Sequence, residues 1–139
     1  MRPILFFIMM RSIMEGKRLY ALRGAVFCLN DPQDIELRVT QLYDSLILNN
    51  CLSEDDVVSI TFSVTSDLTA KNPAAALRKS GRGGDLALFS VQESLADGGR
   101  SGVIRVLLHC YAKEGITLRH AYLNGAETLR PDRGGNGNQ

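Results

Sequence analysis

One long amphipathic segment, residues 32–49, lies among apolar segments with the character of β-strands, and this combination restricts the possible folds. Its apolar residues recur at helical spacing, as Ile35, Val39, Leu42 and Leu46. That spacing predicts a helix with one buried face. Asp31 is a suitable N-cap and Pro32 suits the first helical turn, so the helix is predicted to begin at residue 32.

Five other segments are predicted to be strands. Residues 58–64 alternate apolar and polar side chains, which is the period-two pattern of a half-buried strand. The other four segments are residues 18–27, 86–91, 103–112 and 119–129. In the last segment Asn124 and Gly125 form a strong turn signal, and both a hairpin and a bulge are compatible with it. A short helix is predicted from Pro73 to Lys79, with Asn72 able to cap it.

The order of these segments predicts an α+β fold, in which a mixed five-stranded sheet packs on one long helix. A single helix can cover only one face of such a sheet. Burying the other face requires a partner, and self-association is the simplest solution.

The composition excludes several classes of function. The 139 residues fit one domain with its own core. Sixteen basic residues against fifteen acidic ones leave no basic excess, so no nucleic-acid partner is expected. Three cysteines without close spacing predict neither a disulfide framework nor a zinc site, and they fit the reducing cytoplasm. Two scattered histidines are too few for a catalytic metal site built on imidazole.

Both ends of the chain are expected to lie outside the domain, which spans residues 17–132. Residues 3–10 are apolar but shorter than the roughly 20 residues of a membrane-spanning helix, so no membrane partner is expected. They are similar to the apolar region of a signal peptide, yet charged residues stand where a cleavage site would lie. A start site at Met14, which makes residues 1–16 an artefact or a disordered extension, is favoured. Residues 133–139 are expected to form a flexible polar tail.

Three arginines stand alone in apolar, strand-like segments: Arg23, Arg105 and Arg130. A guanidinium stays charged at any pH that a protein tolerates, and it is rarely buried without an acidic partner. Glu93 ends another apolar strand and could join them. The pattern indicates a pocket for an anion with more than one carboxylate or phosphate. Ion pairing at the edge of the sheet is the alternative.

The usual catalytic sets are missing from the sequence. Neither His109 nor His120 stands near a nucleophile in a recognisable pattern. The glycine-rich residues 81–84 precede a predicted strand instead of following one, so they indicate a turn and not a phosphate-binding loop.

Seven short stretches, in this order, resemble an AroH-type chorismate mutase. They are LRGA at 22–25, SVTSDL at 63–68, NPA at 72–74 followed by Arg78, QE at 92–93, VIRV at 103–106, RHAYL at 119–123 and LRPD at 129–132. The resemblance implies a homotrimer whose sheets pack as a pseudo α/β-barrel, with active sites between subunits. It also implies the rearrangement of chorismate to prephenate, on the route to phenylalanine and tyrosine. That reaction is unimolecular and needs no nucleophile, metal or cofactor.

The resemblance also assigns roles to particular residues. Arg105 is implied to stabilise the negative charge on the breaking ether oxygen. Glu93 is implied to hold Arg105 and to accept a hydrogen bond from the ring hydroxyl. Arg23 and Tyr122 are implied to bind carboxylate. The remaining implied contacts are Phe89, Ser90, Val91 and Gln92 in the site wall, Asn72, Ala74, Ala75 and Arg78 from the adjacent subunit, and Leu129 with Arg130, the latter closing over substrate.

Two positions depart from the family pattern. Asn72 stands where an aromatic residue is common, and Ala75 stands where a charged residue often follows. We expect these changes to weaken substrate affinity more than turnover. The alternatives are a non-catalytic trimer that binds small carboxylates and an imine deaminase of the YjgF/RidA type. The presence of Glu93 with Arg105, and the LRPD stretch, favour the mutase.

Overall fold

The structure is a computed structural model that describes residue 4 and residues 16–130. The predictions about a start at Met14 and about the tail at 133–139 concern residues outside this range. Among the described residues, no helix combines the length and the apolar character that crossing a membrane requires.

Five strands form one mixed sheet, as predicted. In chain order the main elements are β1 (Lys17–Phe27), α1 (Pro32–Asn49), β2 (Val57–Val64), α2 (Pro73–Lys79), β3 (Ala87–Gln92), β4 (Val103–Lys113) and β5 (Ala121–Leu123). The strands lie in the order β3-β2-β4-β1-β5. The β2–β3 and β1–β5 pairs are parallel, whereas β4 runs antiparallel to both β1 and β2.

Helix α1 has the predicted bounds and the predicted buried face. The Asp31 carboxylate accepts a hydrogen bond from the backbone N–H of Asp34 at 2.9 Å, and Pro32 occupies the first turn. Its buried residues are Ile35, Val39, Leu42, Tyr43 and Leu46. These side chains join Leu22, Ile60, Phe62 and Leu108 of the sheet in the main core.

Helix α1 does not cover this face of the sheet alone. Ala74, Ala76 and Leu77 of α2 belong to the same core as α1. The architecture is therefore a sheet with two helices on one side, which corrects the expectation of a single covering helix.

At Gly24 of β1 the sheet lies close against α1 and leaves no room for a side chain. A Cβ at this position would lie 2.6 Å from the carbonyl oxygen of Ala121 and 2.9 Å from Cδ1 of Leu42. A side chain there would separate β1 from β5 or push α1 outward. The neighbours of Gly24 in β1 are Arg23 and Ala25, so this contact also fixes part of the candidate site.

The opposite side of the sheet, the open face, carries no helix. Paired residues in a sheet point to the same side, so the register places on this face Leu19, Arg23, Thr61, Ser63, Phe89, Val91, Arg105, Leu107 and Tyr122. Phe89 is 65% exposed, and Leu19, Val91 and Leu107 are also exposed. An apolar surface of this kind fits the predicted need for a partner.

The segment after β5 differs from the prediction of a continuous extended strand. Asn124 and Gly125 both have positive φ, 51° and 92°, which agrees with their turn signal. The chain then enters a 3₁₀ helix, Ala126–Leu129. It neither folds back as a hairpin nor continues through a bulge. The Asn124 side-chain amide donates to the carbonyl of Phe27 at 2.7 Å, which anchors the turn to the end of β1.

Candidate active site

A close ion pair joins Arg105 of β4 to Glu93, the residue that follows β3. Nε of Arg105 donates to Oε1 of Glu93 at 2.5 Å, and the two side chains are 40% and 24% exposed. The backbone N–H of Glu93 donates to the carbonyl of Val64 at 2.8 Å, which holds Glu93 beside the end of β2. Within the described part of the chain, the terminal nitrogens of Arg105 form no hydrogen bond. The guanidinium is therefore positioned through Nε, and its other donors are available to an anion.

Arg105 stands in a row that crosses the whole open face. Val91, Ser63, Arg105, Ala25 and Tyr122 are successive partners on the five strands. Ala25 is fully buried in a small core with Val103 and Ala126, and Tyr122 packs against that core. Arg105 and Tyr122 therefore lie on either side of Ala25 in this row.

Arg23 lies on the same face, two residues from Ala25 along β1. Its side chain is exposed, and its Cα partner on β4 is Leu107. The backbone N–H of Arg23 donates to Nδ1 of His120 at 2.9 Å, which ties β1 to the segment before β5. His120 thus has a structural role in the placement of Arg23.

The C-terminal 3₁₀ helix covers one end of the open face. Tyr122 and Leu129 pack against a small core of Ala25, Val103 and Ala126. Arg130 follows directly and is half-buried. The structure therefore brings the predicted residues Tyr122, Leu129 and Arg130 to the end of the sheet that carries Arg105.

A second group of predicted residues surrounds the start of α2. Oδ1 of Asn72 accepts from the backbone N–H of Ala74 at 2.9 Å and of Ala75 at 3.2 Å, so Asn72 is the N-cap. The Ser90 hydroxyl donates to the same oxygen at 2.9 Å. Ser90 Oγ also accepts from the N–H of Ala74 at 3.3 Å. These bonds connect β3 to α2 and fix both side chains.

This second group, the helix-face group, lies on the opposite side of the sheet from Arg105. Ser90 is the partner of Phe62, and Gln92 is the partner of Val64, on the side that the helices cover. Phe89 and Val91 alternate with them and point to the open face. The predicted site wall at 89–92 is therefore divided between the two faces. The helix-face group consists of Asn72, Ala74, Ala75, Arg78, Ser90 and Gln92.

The sheet separates the two groups within one chain. Arg105, Glu93, Arg23, Tyr122 and Leu129 form the open-face group, and no side chain can pass through a paired sheet to join the helix-face group.

Two polar residues near the site were not predicted. Ser63 is the direct partner of Arg105, but its alternation with apolar residues predicted only a solvent-facing position. Lys71 lines a cavity with Asn72 and Ser90. A single lysine in a loop gives no sequence signal for such a place.

Metal clusters and two of the cysteine thiols were candidates for other kinds of catalysis. No cluster of three or more His, Cys, Asp or Glu side chains among the described residues could hold a metal ion. Burial raises the pKa of the Cys28 thiol to about 11, and burial also raises the pKa of Cys110. Both thiols are protonated near neutral pH, so neither is an activated nucleophile.

Comparisons with known proteins agree on one family. The family model described as chorismate mutase type I matches residues 19–133. The chorismate mutase AroH of Bacillus subtilis (strain 168) is 33% identical over 113 residues, which cover 80% of this chain and 89% of that protein. The AroH of Thermus thermophilus is 34% identical over 114 residues, which cover 80% and 93%. A solved chorismate mutase from Clostridium thermocellum superposes with a TM-score of 0.73 at 35% identity, covering 79% of this chain and 99% of that one.

Proposed function

Because the chain belongs to the type I chorismate mutase family, we propose that the Arg105–Glu93 pair is the centre at which it rearranges chorismate to prephenate. The protein is a chorismate mutase, an isomerase of aromatic amino acid biosynthesis. The observation that carries the proposed site is the guanidinium of Arg105, which is fixed through Nε and offers its remaining donors on the open face.

The chemistry needs one well-placed cation. In the rearrangement the ether C–O bond breaks while a new C–C bond forms within the same molecule, so no atom enters or leaves. Negative charge builds on the ether oxygen as the bond lengthens. A fixed guanidinium stabilises that charge more than it stabilises the ground state, which lowers the barrier.

Glu93 has two tasks in this proposal. Oε1 holds Nε of Arg105, which orients the guanidinium. Oε2 is then available to accept a hydrogen bond from the ring hydroxyl of the substrate. One carboxylate therefore couples the position of the ring to the position of the catalytic cation.

The other open-face residues select the reactive conformer of the substrate. Arg23 and Tyr122 bind a carboxylate and fold the enolpyruvyl arm over the ring, while Leu129 and Arg130 close the end of the pocket. Phe89 and Val91 form an apolar wall of the pocket. These contacts hold the two reacting carbons close together, so the conformer that is rare in solution becomes the one that is bound.

These effects are large enough for an enzyme of ordinary power. An acceleration of about a millionfold corresponds to roughly 8 kcal/mol. One well-aimed donor supplies about 3–4 kcal/mol of that, and the selection of the reactive conformer supplies the rest.

We propose that the active unit is a homotrimer with its sites between subunits. The open-face group of one chain would meet the helix-face group of the next, including Asn72, Ala74, Ala75 and Arg78. Three such contacts close a ring, and they bury the exposed Phe89 and Leu107 as the sheets pack into a pseudo α/β-barrel. The separation of the two groups by the sheet supports this arrangement.

A cytoplasmic location is also proposed. All three cysteines are unpaired, which fits a reducing compartment. Neither the carboxylate-binding trimer without activity nor the YjgF/RidA-type imine deaminase is favoured by the comparisons.

The proposed function is tested by following the loss of chorismate absorbance with purified protein. We expect saturable decay that yields prephenate as the sole product. Binding of chorismate without turnover would instead indicate the non-catalytic carboxylate-binding trimer.

A further inference from the structure

A cavity of about 280 Å³ opens beside the capped start of α2, at the end of β3. Its polar lining comes from Thr69, Lys71, Asn72, Ser90 and Gln92. Among the described residues that line it, Lys71 alone carries a formal charge. The cavity is therefore positive and has several hydrogen-bond donors, which is the environment of an anion-binding site.

Lys71 differs from the half-buried Arg38, Arg82 and Arg105, each of which pairs with a carboxylate, because Lys71 has no acidic partner in the described residues. Lys79, at the far end of α2, places Nζ 3.3 Å from the Glu36 carboxylate. Lys71 is half-buried, yet its Nζ makes neither an ion pair nor a hydrogen bond with any described residue. A partly desolvated ammonium of this kind gains most from an anionic ligand.

The backbone on both sides of Lys71 is held in place. Oδ1 of Asn30 accepts from the N–H groups of Thr69 at 2.9 Å and Ala70 at 2.8 Å. On the other side, Asn72 is fixed by its bonds to α2 and Ser90. Lys71 therefore projects from a rigid position, so little conformational entropy is lost in its backbone when it binds a ligand.

We propose that Lys71 binds one carboxylate of the substrate from the helix-face side of the intersubunit site. This inference rests on the proposed function, because the ligand is taken to be the dicarboxylate chorismate. The open-face arginines engage one end of that dianion and the developing charge. Lys71 engages the other carboxylate, and it acts as a binding residue that determines specificity for dianions.

The test compares three variants in steady-state assays with chorismate. Lys71→Met removes the charge and is expected to raise KM about tenfold, with kcat changed less than about threefold. Lys71→Arg keeps the charge and is expected to restore KM to within about threefold of the wild type. Lys79→Met is the matched control: it changes the net charge equally at the other end of α2, and its KM is expected to stay at the wild-type value.

The outcomes separate this inference from the proposed function. If the wild type is active and Lys71→Met has an unchanged KM, or if Lys79→Met raises KM equally, Lys71 has no specific role. If the wild type lacks turnover, the proposed function fails. Calorimetry with chorismate still tests the role of Lys71 in that case, because Lys71→Met must bind chorismate about tenfold more weakly than Lys79→Met does. Lys71→Gln provides a second neutral variant if Lys71→Met does not fold.

Discussion

At the scale of single residues, the site depends on how a guanidinium divides its donors. Arg105 uses Nε for Glu93, and in the proposed mechanism its terminal nitrogens bind the ligand. A lysine has one nitrogen for both tasks, so it cannot hold Glu93 and meet the ether oxygen in the same geometry. The identity of the cation therefore matters as much as its charge.

We predict that Arg105→Met lowers kcat by two to three orders of magnitude, on the order of the loss of one oxyanion donor. Arg105→Lys is expected to remain at least about tenfold below the wild type, because the bond to Glu93 is lost. Steady-state assays and sedimentation measure turnover and assembly together. Arg18→Met, an exposed arginine at the start of β1, is the control. Wild-type turnover in Arg105→Met would show that the role assigned to Arg105 is wrong.

Asp56 supplies a residue-scale test of stability against pH. A hydrogen bond from the backbone N–H of Ser53 at 2.8 Å lowers the pKa of Asp56, and Lys17 lies 3.5 Å from its carboxylate. A lowered folded-state pKa means that the ionised form stabilises the fold above the ordinary carboxyl pKa. This contribution is lost as the pH falls through the lowered value.

We therefore predict that Asp56→Asn costs about 1 kcal/mol of unfolding free energy at pH 7, and that the difference from the wild type shrinks toward pH 3. Denaturant midpoints at one fixed protein concentration measure both values. Asp55→Asn, at the exposed neighbouring position, is expected to change little at either pH. An Asp56→Asn deficit that is constant with pH would contradict the assignment.

At the scale of elements, the spacing of apolar residues correctly predicted those helices and strands that the local sequence determines. The helical spacing from Ile35 to Leu46 located α1, and the alternation from Val58 to Val64 located β2 to within one residue. Asn124-Gly125 predicted its own turn correctly, but not the 3₁₀ helix after it, which depends on contacts with Phe27 and Ala25. A local turn signal in the sequence does not predict such tertiary contacts.

The division of the candidate site between two faces could not be predicted either. Arg105 and Glu93 were identified from their isolation in apolar strands. Ser90 and Gln92 separate from Phe89 and Val91 only once β3 is paired with β2 in a known register. A register shift of one residue would exchange the two sets, and the sequence of β3 alone does not specify it.

Gly24 provides the element-scale prediction. Gly24→Ala places a methyl group within 3 Å of both Ala121 and Leu42, so we expect it to cost about 1–3 kcal/mol through overpacking. Because β5 must shift, Tyr122 should move as well, and KM should rise. Thermal unfolding and steady-state kinetics measure the two effects. Gly84→Ala, whose new methyl group would meet nothing within 4 Å, is the control. Equal stability of the two variants would contradict the close-contact argument.

At the scale of the whole molecule, the sheet separates the two groups of the proposed site within one chain. The open face presents Arg105, Glu93 and exposed apolar side chains, and the other side presents the start of α2. In the proposed homotrimer, each chain contributes to two pockets, one with each face. Activity should consequently depend on assembly of the trimer. A variant damaged in the open-face group and a variant damaged in the helix-face group should therefore restore activity to each other in mixed trimers.

We predict that two weakly active variants regain activity when they share a trimer. Arg105→Ala damages the open-face group, and Arg78→Glu reverses a charge in the helix-face group. In a trimer that contains both variants, one of the three sites combines an intact half from each variant. Co-expression with two different affinity tags, followed by tandem purification and the chorismate assay, measures the recovered turnover.

The decisive control mixes two variants of the same half. Co-expressed Arg105→Ala and Glu93→Ala leave every site with a damaged open-face group, because no chain carries an intact one. This mixture should stay as inactive as its components, whatever the composition of the trimers. Recovery in the first mixture and none in the second requires each site to draw on two chains. No recovery in either, with mixed trimers confirmed by mass spectrometry, would place both groups in the pocket of one chain, against the separation that the sheet imposes.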